Sequence, residues 1–260
     1  MGPPENNETP APPGQPWRVQ RFHEVSSTNE TILSAGEQGA PEWTVHLARC
    51  QTSGRGRGSH TWWSPPGGGL WMSVLLRPST PPARLGGMAL IAGVAVRGAL
   101  QSLGARGIDL YWPNDLYLGS RKLGGILGEV RRSSRSPGGS MVALGIGINL
   151  DFSGAEPPPE LRGAIACLAE TGCGILVPET VAAAILEKLL PLYHALLAGA
   201  SIPGLVKEAM AGLGGRVRVS VPPALPFGGI ALGIGDDGEL LVERDGGIVE
   251  ALRSAQVDWG

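Results

Sequence analysis

The stretch Trp112 to Val130, WPNDLYLGSRKLGGILGEV, alternates short apolar runs with turn residues. Leu116 to Leu118 and Lys122 to Val130 predict two strands, and the link Leu118-Gly119-Ser120-Arg121 reads as a hairpin turn. Leu110 to Trp112 before it and Met141 to Ile148 after it predict further strands, with the polar loop 133–139 between. Four short strands joined by tight turns imply antiparallel pairing in the middle of the chain. Lys122 lies inside this run and is one of only three lysines among the 21 basic residues. A chain that otherwise uses arginine suggests that this lysine is kept for its ammonium, a compact point charge suited to a carboxylate or phosphate oxygen.

Working outward, the upstream half predicts a strand at Val19 to Phe22 and a helix opening at Ser27-Thr28-Asn29-Glu30. Ser27 stands three residues before Glu30, the spacing of a capping box. Trp43 to Ala48 and the wholly apolar Gly69 to Leu76 predict strands, and Pro82 to Leu103 a core helix. Downstream, Pro157 to Glu170 and Pro178 to Leu197 read as helices, with a shorter one at Leu205 to Ala211. Strands and helices do not alternate regularly, so the large unit is expected to be α+β with a mixed or antiparallel sheet. From Arg216 the texture changes to short β runs (VRVSV, GGIALGI, GELLVE, GIVEAL) with turns at Asp236-Asp237-Gly238 and Asp245-Gly246-Gly247. They predict a small barrel or curled sheet. The expected division is a disordered tail over 1–16, a large unit over 17–213 and a small β unit over 214–260.

Composition narrows the function. The net charge of −2 gives no general attraction to nucleic acid or anionic membrane. Cys50, Cys167 and Cys173 show no CxxC spacing and leave an odd thiol, which favours a reducing, cytoplasmic setting over a disulfide framework. The first sixteen residues lack the basic and apolar segments of a signal peptide. No apolar run is expected to reach the ~18 residues of a membrane span. There is no P-loop, no dinucleotide fingerprint, no HExxH and no GxSxG, and the four histidines are scattered.

What remains is a pair of motifs. Gln51 to Pro65, QTSGRGRGSHTWWSP, carries Gly54-Arg55-Gly56-Arg57-Gly58, whose exposed N–H groups and guanidinium forks suit anions. Read alone it is also consistent with a surface loop or an RGG-like nucleic-acid contact. Flanking strands and Trp62 with Trp63 favour a loop that closes over a flat ligand. Asn114 and Asp115 read either as turn residues or as holders of a metal or ribose hydroxyl. Asn149, ending the strand Gly145-Ile-Gly-Ile-Asn149, reads as a turn cap or a base-edge contact.

In order and spacing, SSTN, QTSGRGRGxxxxWxSP, WPNDLYL…RKLGGILGE and GIGINL, followed by a small β unit, resemble the biotin–protein ligases from about residue 20 onward. The resemblance implies a class II aminoacyl-tRNA-synthetase-like mixed sheet with helices and a C-terminal SH3-like β barrel. It implies that ATP and Mg²⁺ convert biotin to biotinyl-5′-AMP, and that biotin then passes to a lysine of a biotin carboxyl carrier domain. By the same resemblance Lys122, Arg55 and Arg57 are the catalytic cations. Ser27, Thr28, Asn29, Gln51, Gly54, Gly124 and Gly125 join Arg55 and Lys122 on biotin, and Trp62, Asn114, Asp115 and Asn149 join Arg57 and Lys122 on the nucleotide. Asp115 is the implied Mg²⁺ ligand. Ser59, His60 and Tyr111 depart from the family pattern, which usually has a glycine at the first and basic residues at the others. Some members carry an N-terminal helix-turn-helix module. Sixteen residues are too few for one, so no DNA binding is expected. Members occur as monomers and homodimers. The rivals are a lipoate–protein ligase or octanoyltransferase of the same fold, and a nucleic-acid-binding module using the arginine loop.

Overall fold

Gly69–Leu76 is buried at all eight positions, which only a strand covered on both faces can achieve. The computed structural model, which describes residues 8–9, 14–58, 60–79 and 82–260, places this strand inside an eight-stranded sheet. In chain order the strands are β1 (Glu8–Thr9), β2 (Arg18–Val25), β3 (Thr44–Gln51), β4 (Gly69–Leu76), β5 (Ile108–Tyr111), β6 (Asp115–Leu118), β7 (Arg121–Arg132) and β8 (Ser140–Asn149). Their spatial order is β1-β2-β3-β4-β8-β7-β6-β5. β2 and β3 run parallel and the other neighbours antiparallel, so the sheet is mixed. The hairpin between β6 and β7 falls where the glycine at 119 predicts it, with Gly119 at φ 60°.

Helices cover both faces. Helix α1 (Thr28–Glu37) lays Ile32 and Leu33 on Leu75, Met141 and Ala143. On the opposite face α2 (Met88–Ser102) and α3 (Pro178–Leu197) pack together over the main core, with Val96, Leu100, Ile185 and Leu189 fully buried. These two segments correct one expectation. Leu85–Ser102 and Pro178–Leu197 are long and apolar enough to cross a membrane, with mean hydropathies of 1.3 and 1.4. Their apolarity follows from packing against the sheet and against each other.

Three other expectations also change. Pro157 to Glu170 is not a helix. It forms two short 3-10 turns, Pro159–Leu161 and Leu168–Thr171, separated by a turn at 162–164 and a single bridge from Ile165 to Lys122. The later short helix is α4 (Ile202–Val206), opened by Ser201 accepting from the Gly204 N–H, rather than Leu205 to Ala211. Ser27 caps α1 without a side-chain bond, and Ser26 instead donates to Glu30 at 2.9 Å. Most of the 1–16 tail lies outside the described residues. Glu8–Thr9 nevertheless pairs with Val19 and Gln20, because the edge of β2 offers unpaired backbone groups.

The C-terminal strands β9 (Arg216–Ser220), β10 (Phe227–Ile234), β11 (Leu240–Arg244), β12 (Val249–Leu252) and β13 (Gln256–Trp259) form an antiparallel sheet ordered β12-β11-β10-β9-β13. It sits against the large sheet. Gly238, at φ 88° in the β10–β11 turn, brings its carbonyl 2.9 Å from Trp112 Nε1, and a Cβ there would lie 2.7 Å from the Gly87 Cα. Only glycine suits both demands.

His46 on β3 gives a pH prediction. It is 2% exposed, and Thr31, whose hydroxyl donates to the Thr28 carbonyl, accepts from its Nδ1 at 2.9 Å. Burial lowers its pKa from 6.5 to about 4. Between those values the unfolded chain binds a proton that the native protein refuses, so stability is lost as pH falls through that window. The loss is about 3 kcal/mol when complete. Urea unfolding from pH 7.5 to 4 should show the stability gap between wild type and His46→Gln changing by that order. A pH-independent gap would refute it.

Candidate active site

A cleft of about 930 Å³ opens on the α1 face of the large sheet and extends to the C-terminal sheet. Its floor is set by strand register. Gly125 of β7 faces Gly147 of β8, and Leu127 faces Gly145, which in turn faces Ser73 of β4. A Cβ at Gly147 would sit 2.7 Å from Trp62 Nε1, and one at Gly145 2.5 Å from Asn29 Oδ1. The floor is therefore bare backbone on which Trp62 and Asn29 rest directly.

Lys122 reaches this face through a β-bulge. Leu116 pairs with Gly124 but Tyr117 with Lys122, so Leu123 is an extra residue. Such a bulge re-aims a side chain, here turning Lys122 to the side that carries Asp115 and Gly125. Lys122 Nζ lies 2.8 Å from Asp115 Oδ1 and 5.5 Å from the centre of the Trp62 ring. The backbone of Lys122 is pinned as well. Its N–H donates to the Ala164 carbonyl and its carbonyl accepts from the Ala166 N–H, each at 2.9 Å. Asn149 Nδ2 donates to the carbonyls of Ala166 at 2.9 Å and Lys122 at 3.3 Å. Asn149 thus holds the lysine segment in place.

The neutral polar end is wired in a chain. Gln51 Oε1 accepts from the Thr28 N–H at 2.8 Å, and Gln51 Nε2 donates to Ser64 at 2.8 Å. Ser73 Oγ stands 2.6 Å from Asn29 Oδ1 and 2.7 Å from Thr28 Oγ1. Ser27, Thr28 and Asn29 are all buried at the N-terminus of α1.

The arginine loop folds on itself. Arg55 bridges Thr61, Trp62 N–H donates to the Gly54 carbonyl and Gly56 N–H to the His60 carbonyl, each at 2.8 Å. Ser59 lies outside the described residues. Arg55 Nη2 is 3.1 Å from Glu129 Oε2, and Arg57 Nη2 donates to Ser254 Oγ, in the bend between β12 and β13, at 2.8 Å. Burial pulls the Arg57 guanidinium below its ordinary pKa, and Asp115 works against that shift. Burial, with Asp115 and Tyr111 nearby, raises the Tyr117 hydroxyl.

Of the sequence-derived candidates, Ser27, Thr28, Asn29, Gln51, Arg55, Arg57, Trp62, Asn114, Asp115, Lys122, Gly125 and Asn149 line the cleft. Gly54 and Gly124 do not. Gly54 is pressed against the Trp62 carbonyl, and the strand pleat turns Gly124 toward Ile148 on the core face. Ser73, Glu129, Gly145, Gly147 and Ser254 escaped the sequence reading. The period of two along β7 and β8 could have found the glycines and Glu129, but nothing local marks Ser73 or Ser254. Arg55, Arg57 and Lys122 line the cleft, Arg55 paired with Glu129 and Lys122 with Asp115, so the site keeps a small excess of positive charge in a protein of net charge −2. Two buried polar atoms here, Trp62 Nε1 and Asn114 Oδ1, have no partner. One is a donor and the other an acceptor, both enclosed beneath the cleft.

A family model described as the biotin/lipoate A/B protein ligase family matches residues 22–149. The bifunctional ligase/repressor BirA of Bacillus subtilis is 34% identical over 242 residues, covering 92% of this chain and 73% of that protein. The chain belongs to the biotin–protein ligase family. Among these ligases, the biotin–[acetyl-CoA-carboxylase] ligase of Paracoccus denitrificans is 31% identical, with 91% of this chain and 98% of that protein covered. The biotin protein ligase from Aquifex aeolicus in complex with biotin and ATP superposes with a TM-score of 0.76 at 26% identity, covering 93% of this chain and 99% of that one. The fold is thus the biotin-ligase fold, with its mixed sheet and C-terminal β unit.

Proposed function

We propose that the cleft joins biotin to AMP and then passes the biotinyl group to a lysine amine of a biotin carboxyl carrier domain. The observation that carries this reading is the convergence of Arg55, Arg57 and Lys122 in one cleft, next to a neutral hydrogen-bonding end built from Ser27, Thr28, Asn29 and Gln51. In the first step a biotin carboxylate oxygen attacks the α-phosphorus of ATP, and the bond to pyrophosphate breaks. Both reactants are anions, so fixed cations lower the barrier by meeting charge as it develops on the phosphoryl oxygens. Lys122, beside Asp115 and under Trp62, serves carboxylate and phosphate alike. Arg55 and Arg57 supply fork-shaped donors to the same oxygens. In the second step the carrier amine attacks the acyl carbon, AMP leaves with the bonding pair, and an amide forms. Trp62, resting on Gly147 and lining the cleft, supports a base-stacking role toward the nucleotide.

Mg²⁺ fits this site as a substrate-bridging ion. No cluster of three His, Cys, Asp or Glu is present among the described residues. Mg²⁺ binds readily through one carboxylate together with substrate phosphates. Asp115 is the residue that would hold it, and the ion would neutralise phosphate charge.

ATP–pyrophosphate exchange with biotin, lipoate and octanoate tests the reading. Exchange with biotin alone is the expected result, and exchange with lipoate or octanoate alone would replace the substrate. A second test concerns the floor. Gly145→Ala places a methyl against Asn29 Oδ1 and pulls the amide from Ser73. Forced shifts of this kind cost about 1–3 kcal/mol, so biotin affinity measured by calorimetry should fall roughly 10- to 100-fold. An unchanged affinity would remove Asn29 from the biotin end.

A further inference from the structure

Glu129 sits seven residues beyond Lys122 on the same strand and the same face, at the opposite end of the floor. One oxygen, Oε2, accepts both from Asn29 Nδ2 at 2.7 Å and from Arg55 Nη2 at 3.1 Å. We infer that Glu129 is a positioning residue that fixes the Asn29 amide and the first loop arginine relative to each other before substrate arrives. This deepens the biotin-ligase reading and rests on it.

The orientation of Asn29 follows from its donors. Its Nδ2 gives one hydrogen to Glu129 and one toward the Leu127 carbonyl at 3.2 Å, which leaves Oδ1 facing Ser73. A flipped amide would place Oδ1 against the carboxylate and the carbonyl, two acceptors, and is excluded by repulsion. Arg55 carries five N–H donors and commits only Nη2 to Glu129. The rest of its fork remains available for an incoming anion, so the carboxylate anchors the arginine without competing for its whole donor set. Glu129 and Arg55 are partly exposed, at 30% and 42%. Exposed pairs of this kind contribute little to stability. What the pair supplies is geometry, since it ties a mobile-type glycine loop to a rigid strand and to the buried start of α1.

Two substitutions separate the two contacts. Glu129→Gln keeps a carbonyl oxygen for Asn29 and removes the charge that holds Arg55. Glu129→Ala removes both. Each would be compared with wild type for thermal midpoint, biotin affinity by calorimetry, and rate of trypsin cleavage after Arg55 in ligand-free protein, mapped by mass spectrometry. Glu129→Ala should bind biotin at least ~10-fold more weakly, the loss of one charge-assisted contact, and should be cut several-fold faster. Glu129→Gln should keep near wild-type biotin affinity yet be cut as fast as the alanine variant. Equal cleavage rates in all three folded proteins would overturn the inference. So would a Glu129→Gln variant that loses biotin while its loop stays protected. If wild type itself fails to bind biotin, the function above is wrong. The cleavage rates would still decide whether Glu129 anchors the loop.

Discussion

Replacing Lys122 with alanine should lower biotinyl-AMP formation at least ~100-fold, the loss expected for one preorganised charge contact to a transition state. The loss should fall on kcat, because the ammonium meets charge that grows only as the carboxylate oxygen closes on phosphorus. The geometry sharpens this expectation. Lys122 Nζ is 2.8 Å from Asp115 and its backbone is held by Ala164, Ala166 and Asn149. Lys122→Arg retains the charge but spreads it over a planar fork, and should recover only part of the rate. Pyrophosphate exchange and single-turnover adenylate formation would measure both variants. Wild-type turnover in Lys122→Ala would remove this residue from the chemistry.

Arg57→Gly should turn a retaining enzyme into a leaking one. The guanidinium joins the loop to Ser254 at 2.8 Å across the mouth of the cleft, and a hydrogen bond to a charged group is typically worth about 1.5–3 kcal/mol. Removing it should raise the rate of biotinyl-AMP release roughly 10- to 100-fold. The freed anhydride then acylates exposed lysines without selection. Incubating the variant with biotin, ATP and an unrelated lysine-rich protein should label that protein, and wild type should not. A variant that stays selective would show that closure does not depend on this arginine.

The contrast between these residues and the missed ones shows what local sequence can carry. Arg55, Arg57 and Lys122 were legible because glycines and a scarce lysine mark them within a few positions. The β6–β7 hairpin was legible because its turn residues are local. The bulge at Leu123 was not, since it exists only in the register between two strands. Pro157 to Glu170 misled for a related reason. At the start of β7, β8 has not yet begun to pair, and residues 164–166 fill that gap beside Lys122 through a single bridge. A long-range vacancy overrode local helix preference. Gly124 was assigned with Gly125 as neighbours, but the pleat puts them on opposite faces. Ser254 lies in the bend between β12 and β13, and no spacing rule reaches 197 residues along the chain.

The bare floor of the cleft also fixes how this enzyme can be remodelled. Gly125, Gly145 and Gly147 have no side chain to trim, and at the last two any added carbon collides with a residue already resting there. Every substitution at those two positions subtracts volume. Room for a bulkier biotin analogue must therefore be taken from beside the glycines, where Leu127 still has atoms to lose. Redesign of this site can narrow it from below and widen it only from the side.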